Sequence, residues 1–90
     1  MDKLSIRIEE TPNPNAHRYV LNRQVQEEAK GRFFAVDDQP DEPLALALVQ
    51  VDGVTNVLLL PNSVTVNKDN ERDWKAVDDA TLAVIEDHFT

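Results

Sequence analysis

The sequence predicts an α+β domain in which a largely antiparallel sheet of about five strands carries two helices, in the order β-β-β-α-β-β-α. Three observations predict it. Lys3 to Glu9 alternates apolar and polar residues with a period of two, the segments flanking Pro61-Asn62-Ser63 read as paired strands, and runs beginning at Leu44 and Trp74 repeat their apolar residues at helical spacing. A chain of 90 residues suits one domain, residues 1–90, with a single two-layer core.

In the first strand Leu4, Ile6 and Ile8 share one face and Ser5, Arg7 and Glu9 the other. It runs into Thr11-Pro12-Asn13-Pro14-Asn15-Ala16, where each proline fixes its own φ and pushes the residue before it out of the helical region. Asn13 and Asn15 either fold back onto neighbouring backbone or point their amides outward, so the segment is a self-bonded corner by default and a presented edge otherwise. His17 to Leu21 follows as a strand antiparallel to the first, with His17 a solvated strand residue. Gln24 to Lys30 is polar and is either a loop or a fragment of helix, and after Gly31 the stretch Arg32 to Val36, with Phe33 and Phe34, reads as a third strand.

Asp37-Asp38-Gln39-Pro40-Asp41-Glu42 holds four carboxylates in six residues, but with a proline where a calcium loop bends and no glycine it reads as a solvated acidic loop. Its end favours a helix start, with Asp41 or Glu42 near the positive end and Pro43 as the first helical residue. Leu44, Ala47, Leu48 and Val51 then form one stripe, extended by Leu46 and Val49, and Gly53 is placed to terminate the helix. Val54 to Leu60 and Val64 to Lys68 form the clearest hairpin, with Pro61 suited to the turn. Asp69 or Asn70 is expected to cap a closing helix whose core face carries Trp74, Val77, Thr81, Val84, Ile85 and His88, with Trp74 anchoring it to the sheet. Pattern alone leaves the strand order open, except that the last hairpin pairs with itself.

With 17 acidic and 9 basic residues the formal net charge is −8, which repels phosphate backbones and anionic headgroups and points to a protein partner rather than nucleic acid or a membrane. The chain has no cysteine, so it offers no disulfide, thiolate metal site or cysteine nucleophile. No apolar run approaches a membrane span and Met1-Asp2-Lys3 opens no leader pattern, which makes the cytosol the expected compartment. No serine or histidine arrangement, glycine-rich phosphate loop or carboxylate pair emerges from the spacing, so catalysis is not expected.

Thr11-Pro12-Asn13-Pro14-Asn15-Ala16, the Pro43-Leu44-Ala45 helix start, Val51-Asp52-Gly53-Val54, Ser63-Val64-Thr65-Val66 and Asp73-Trp74, in this order, resemble the N-terminal domain of the Nfu/NifU-type iron-sulfur scaffold proteins. The resemblance covers nearly the entire chain. In that family the domain is usually followed by one whose Cys-x-x-Cys pair binds the cluster, so the resemblance implies a role in iron-sulfur cluster assembly or delivery. Without cysteine, this chain is expected to bind no cofactor alone and to meet a cluster only through a partner protein. The candidate partner-binding residues are Thr11, Asn13 and Asn15 in the corner, Arg18 on the flanking strand, and Asp37 and Asp38 in the acidic loop. The alternative is a peptide or small-ligand binding domain unrelated to iron, working by strand addition.

Overall fold

The computed structural model describes residues 3–27, 29–38 and 41–89. Strands β1 (Ile6–Glu10), β2 (Ala16–Leu21) and β3 (Arg32–Ala35) precede a short 3₁₀ turn, Val36–Asp38, and helix α1 (Pro43–Val49). Strands β4 (Val54–Leu60) and β5 (Ser63–Lys68) and helix α2 (Trp74–Phe89) complete the chain. The five strands form one antiparallel sheet in the order β1-β2-β5-β4-β3, so the fold class and element order agree with the reading from sequence. The last hairpin pairs with itself, Leu60 opposite Ser63 across the Pro61-Asn62 turn.

Both helices lie on one face of the sheet. Cross-strand partners share a face, so Tyr19, Val64 and Leu59 form one row, and His17, Val66 and Val57 the next. Tyr19, Val57, Leu59, Val64 and Val66 are fully buried beneath Leu44 and Leu48 of α1 and Val77, Thr81 and Ile85 of α2. Each large aliphatic side chain so covered contributes roughly 1.5–3 kcal/mol. The contiguous Val57-Leu58-Leu59-Leu60 run is explained by this layering. Val57 and Leu59 enter the core, while Leu58 and Leu60 lie half-buried on the other face of an interior strand.

Several boundaries differ from expectation, each for a local reason. The ladder of β1 starts at Ile6 rather than Lys3, because its partner strand ends at Leu21 and the Asn22 side chain takes over. The Asn22 amide donates to Lys3 O at 2.6 Å and accepts from Ser5 N at 2.8 Å. Strand β3 stops at Ala35, whose amide donates to Asp38 Oδ2 at 2.8 Å and turns the chain. Glu42 caps α1 through Leu44 N at 3.3 Å, with Pro43 at the start as predicted. The helix ends at Val49 with Gln50 as C-cap, so Val51 lies beyond it and Gly53 terminates nothing. Gly53 instead adopts φ +96° in the turn that enters β4, where an added Cβ would collide with the Arg72 side chain.

The closing helix also starts later than expected. Asp69 Oδ1 accepts from Glu71 N and Arg72 N, both at 3.0 Å, and so caps a turn, while the first helical bond runs from Val77 N to Asp73 O at 3.2 Å. His88 is exposed, edge-on to Phe89, rather than part of the core face. The described residues between Gln24 and Lys30 form no regular element, although Gln26 is buried and donates to Lys30 O at 2.8 Å. Gln39 and Pro40 of the acidic loop lie outside the described residues. Among the described residues no helix is long and apolar enough to cross a membrane.

Candidate functional site

Two spacings bring the site together. His17 and Tyr19 are two apart on β2 and share a face, and Trp74 and Asp78 are four apart on α2 and share another. Where α2 crosses the start of β2, the His17 ring stacks on Trp74 with centroids 3.6 Å apart and planes 7° from parallel. His17 Nδ1 lies 3.1 Å from Asp78 Oδ1, and the Tyr19 hydroxyl donates to the same oxygen. A carboxylate oxygen accepts, so this contact is a hydrogen bond in the His17 tautomer that carries a proton on Nδ1. Burial first, then the hydrogen bond and charge of Asp78, push the Tyr19 phenol well above its ordinary pKa, with Thr81 opposing weakly.

Trp74 faces the proline corner on its other side, donating from Nε1 to Pro14 O at 2.8 Å. It is half-buried at the rim of the core, so it ties α2 to the corner while Val77, Thr81 and Ile85 make the deep contact with the sheet. Lys68 at the end of β5 holds its ammonium 5.4 Å from the Trp74 ring centre and donates to Asn15 Oδ1 at 3.3 Å and Asp69 O at 3.0 Å. The expectation of a solvated His17 is therefore corrected. Its side chain is only 13% exposed, held where α2 meets the sheet by the Trp74 ring on its face and the Asp78 carboxylate at Nδ1.

Within the corner, Thr11 Oγ1 accepts from Asn13 N at 3.1 Å and turns its single proton toward the carbonyls of Asn13 and Ala16, both 2.9 Å away. Ala16 N closes a turn onto Asn13 O at 3.0 Å, and Asn13 Oδ1 accepts from Asn15 N at 2.9 Å. The Asn15 amide donates to Asn70 Oδ1. Thr11 and Asn15 thus hold the corner's shape. Pro12, Asn13 and Pro14 are exposed, and Asn13 Nδ2 has no hydrogen-bond partner among the described residues. They rim a cleft of about 270 Å³ that is also lined by Glu10, His17 and Trp74.

The remaining candidate residues stand elsewhere. Arg18 points to the sheet face opposite the helices, 3.9 Å from Glu9. Asp37 and Asp38 follow β3 at the same end of the sheet as the corner, but three strand spacings away, about 14 Å. Beside them a wide hollow of about 410 Å³ between Val36, Leu46 and Val51 offers mostly apolar walls, and its one carboxylate, Asp52, is held by Arg72 through Nε at 3.1 Å. The cleft at the corner is the one where polar and aromatic groups converge. Reading from sequence placed Trp74 in the core and passed over Tyr19, Lys68 and Asp78. The signal for the first and last was their one-turn and one-pleat spacing against Trp74 and His17.

Among the described residues the His17 ring bonds only to Asp78, with no hydroxyl on its other side to activate, and the phenol beside it is held protonated. No group of three or more histidine, aspartate or glutamate side chains that could hold a metal occurs among the described residues.

The family model described as scaffold protein Nfu/NifU N terminal matches residues 6–90. The human NFU1 iron-sulfur cluster scaffold homolog, mitochondrial, is 33% identical over 85 residues, covering 93% of this chain and 34% of that protein. Conserved virulence factor C of Staphylococcus aureus is 28% identical over 72 residues, covering 80% of this chain and 19% of that protein. The chain therefore spans about a third of the first of these relatives and about a fifth of the second. Among solved structures, the crystal structure of SAV1430 from Staphylococcus aureus has a TM-score of 0.77 at 27% identity, covering 93% of this chain and 99% of that one. The solution structure of a NifU-like protein from Saccharomyces cerevisiae, at 18% identity, shares the fold with a TM-score of 0.78 over 93% of this chain and 76% of that one.

Proposed function

The chain belongs to the family of scaffold protein Nfu/NifU N-terminal domains, and on that premise we propose that it is a non-catalytic docking module in iron-sulfur cluster assembly or delivery. The cluster is cargo held by the partner, since a chain without cysteine has only histidine and carboxylate to offer it. The observation that carries the docking reading is the corner's division of labour. Thr11, Asn15 and the Asn13 side-chain oxygen satisfy the turn from within, which leaves Pro12, Pro14 and the Asn13 amide nitrogen facing outward beside Trp74 and His17 around the cleft. A surface whose shape is fixed before contact loses little conformational entropy on binding. Asn13 Nδ2, without a partner among the described residues, supplies a donor for a partner protein's carbonyl or carboxylate.

The test is titration of the ¹⁵N-labelled chain with a cluster-loaded domain carrying the family's Cys-x-x-Cys pair. Shifts should concentrate on Asn13, Asn15, His17 and the Trp74 indole N–H, and Asn13→Asp, which keeps the acceptor for Asn15 N and removes the outward donor, should weaken binding several-fold with the melting temperature nearly unchanged. Absence of binding at high micromolar concentration, or shifts confined to other surfaces, would overturn the assignment.

A further inference from the structure

The sheet face away from the helices carries a second, chemically different surface. One register row crosses all five strands on it: Phe33, Leu58, Thr65, Arg18 and Glu9. Phe33 is 61% exposed, and half-buried Leu58, Leu60 and Val20 continue an apolar floor beside it. At the other end stand Arg7 and Arg18 with Glu9, which contacts Arg7 at 2.8 Å and Arg18 at 3.9 Å. These are the charged residues that the described strands turn to this side, two cations against one anion. A protein of net charge −8 thus presents one face that is apolar at one end and positive at the other.

We propose that this face docks an acidic amphipathic helix of a partner protein, apolar side chains on Phe33 and Leu58 and a carboxylate on Arg18. A helix there would complete a third layer, since sheet faces of this kind are buried against helices. Charge complementarity selects the occupant. A second copy of the chain meeting the same face brings no free carboxylate to Arg18, because the one acid that its described strands turn to this side, Glu9, already contacts Arg7 and Arg18. Nucleic acid is disfavoured because two arginines, both beside Glu9, are too few to follow a phosphate backbone, whereas one carboxylate needs only Arg18. From Phe33 on β3 to Arg18 on β2 is three strand spacings, about 14 Å, or about ten residues of helix. The carboxylate should therefore stand about three turns from the apolar anchor. The surface is independent of the corner cleft, and its success or failure leaves the docking reading of the cleft untouched.

The probe is a synthetic helical peptide with leucines one turn apart near one end and two glutamates about three turns further along the same face. Binding is measured by fluorescence anisotropy at low and high salt against wild type, Arg18→Glu, Phe33→Ser and Asn13→Ala. Expected is salt-sensitive binding weakened at least tenfold by Arg18→Glu and by Phe33→Ser and unchanged by Asn13→Ala. A peptide with lysines in place of the glutamates should prefer Arg18→Glu over wild type. Phe33 and Arg18 are surface residues, so the variants are checked for unchanged melting. No binding, equal binding to Arg18→Glu, or a dimer in sedimentation that Phe33→Ser dissolves would each overturn the proposal.

Discussion

Tyr19 has no exposed surface, yet its hydroxyl must find an acceptor, and it finds the only carboxylate that α2 turns toward β2, Asp78. The fold holds this phenol protonated above its ordinary value, whereas the unfolded chain ionises it near pH 10. The unfolded state therefore gains as pH rises past about 10, and the fold loses about 1.4 kcal/mol per pH unit from this group until the folded phenol itself ionises. Below that range Tyr19 contributes no pH dependence. Tyr19→Phe should accordingly flatten the alkaline loss of stability, at a cost of about 1 kcal/mol at neutral pH for the lost hydrogen bond, both read from denaturation midpoints between pH 7 and 11. At this scale the sequence was least legible. His17 and Asp78 look like ordinary surface residues until a strand and a helix from opposite ends of the chain are superposed, and no local period records that crossing.

The corner between β1 and β2 is where a short element sets the position of everything around it. Thr11 serves three backbone groups with one hydroxyl, so Thr11→Val strands the Asn13 amide and loosens the turn onto Ala16. The expected loss is about 1–2 kcal/mol, or a melting temperature lower by roughly 5–10 °C in a domain of this size. Calorimetry checks it, with Thr11→Ser expected to retain most of the stability because it keeps the hydroxyl. Elements with local signatures were readable in advance: the Pro61 hairpin, the Glu42-Pro43 helix start and the amphipathic run from Trp74 each follow from a few neighbouring residues. Asp69 was misread because a capping carboxylate and a turn-forming one look alike in sequence, and only the Asp73 carbonyl decides where the helix begins. Gly53 was read as a helix terminator for the same reason, since a positive φ is needed both there and in the turn where it actually lies.

For the whole molecule, charge and missing thiols set the expectations. Supplied with iron and sulfide under anaerobic conditions, the purified chain should retain no cluster, seen as loss of visible absorbance on desalting, because it has no thiolate to hold one. A band that survives and scales with protein would show ligation by other groups. The two-layer class was legible from periodicity, but the order β1-β2-β5-β4-β3 was not, because nothing in the local pattern of β2 names β5 as its neighbour. That pairing has a consequence for how the chain assembles. The first hairpin joins the rest of the sheet along the β2–β5 ladder, from Val20 opposite Ser63 to Ala16 opposite Asn67, partners far apart along the chain. Closing so long a loop is entropically costly until β4 and β5 have formed their own turn. Assembly should then proceed from the C-terminal hairpin outward, with the β1–β2 ribbon joining as a preformed unit and the Trp74–His17 stack closing last, as the latch between the two ends of the chain.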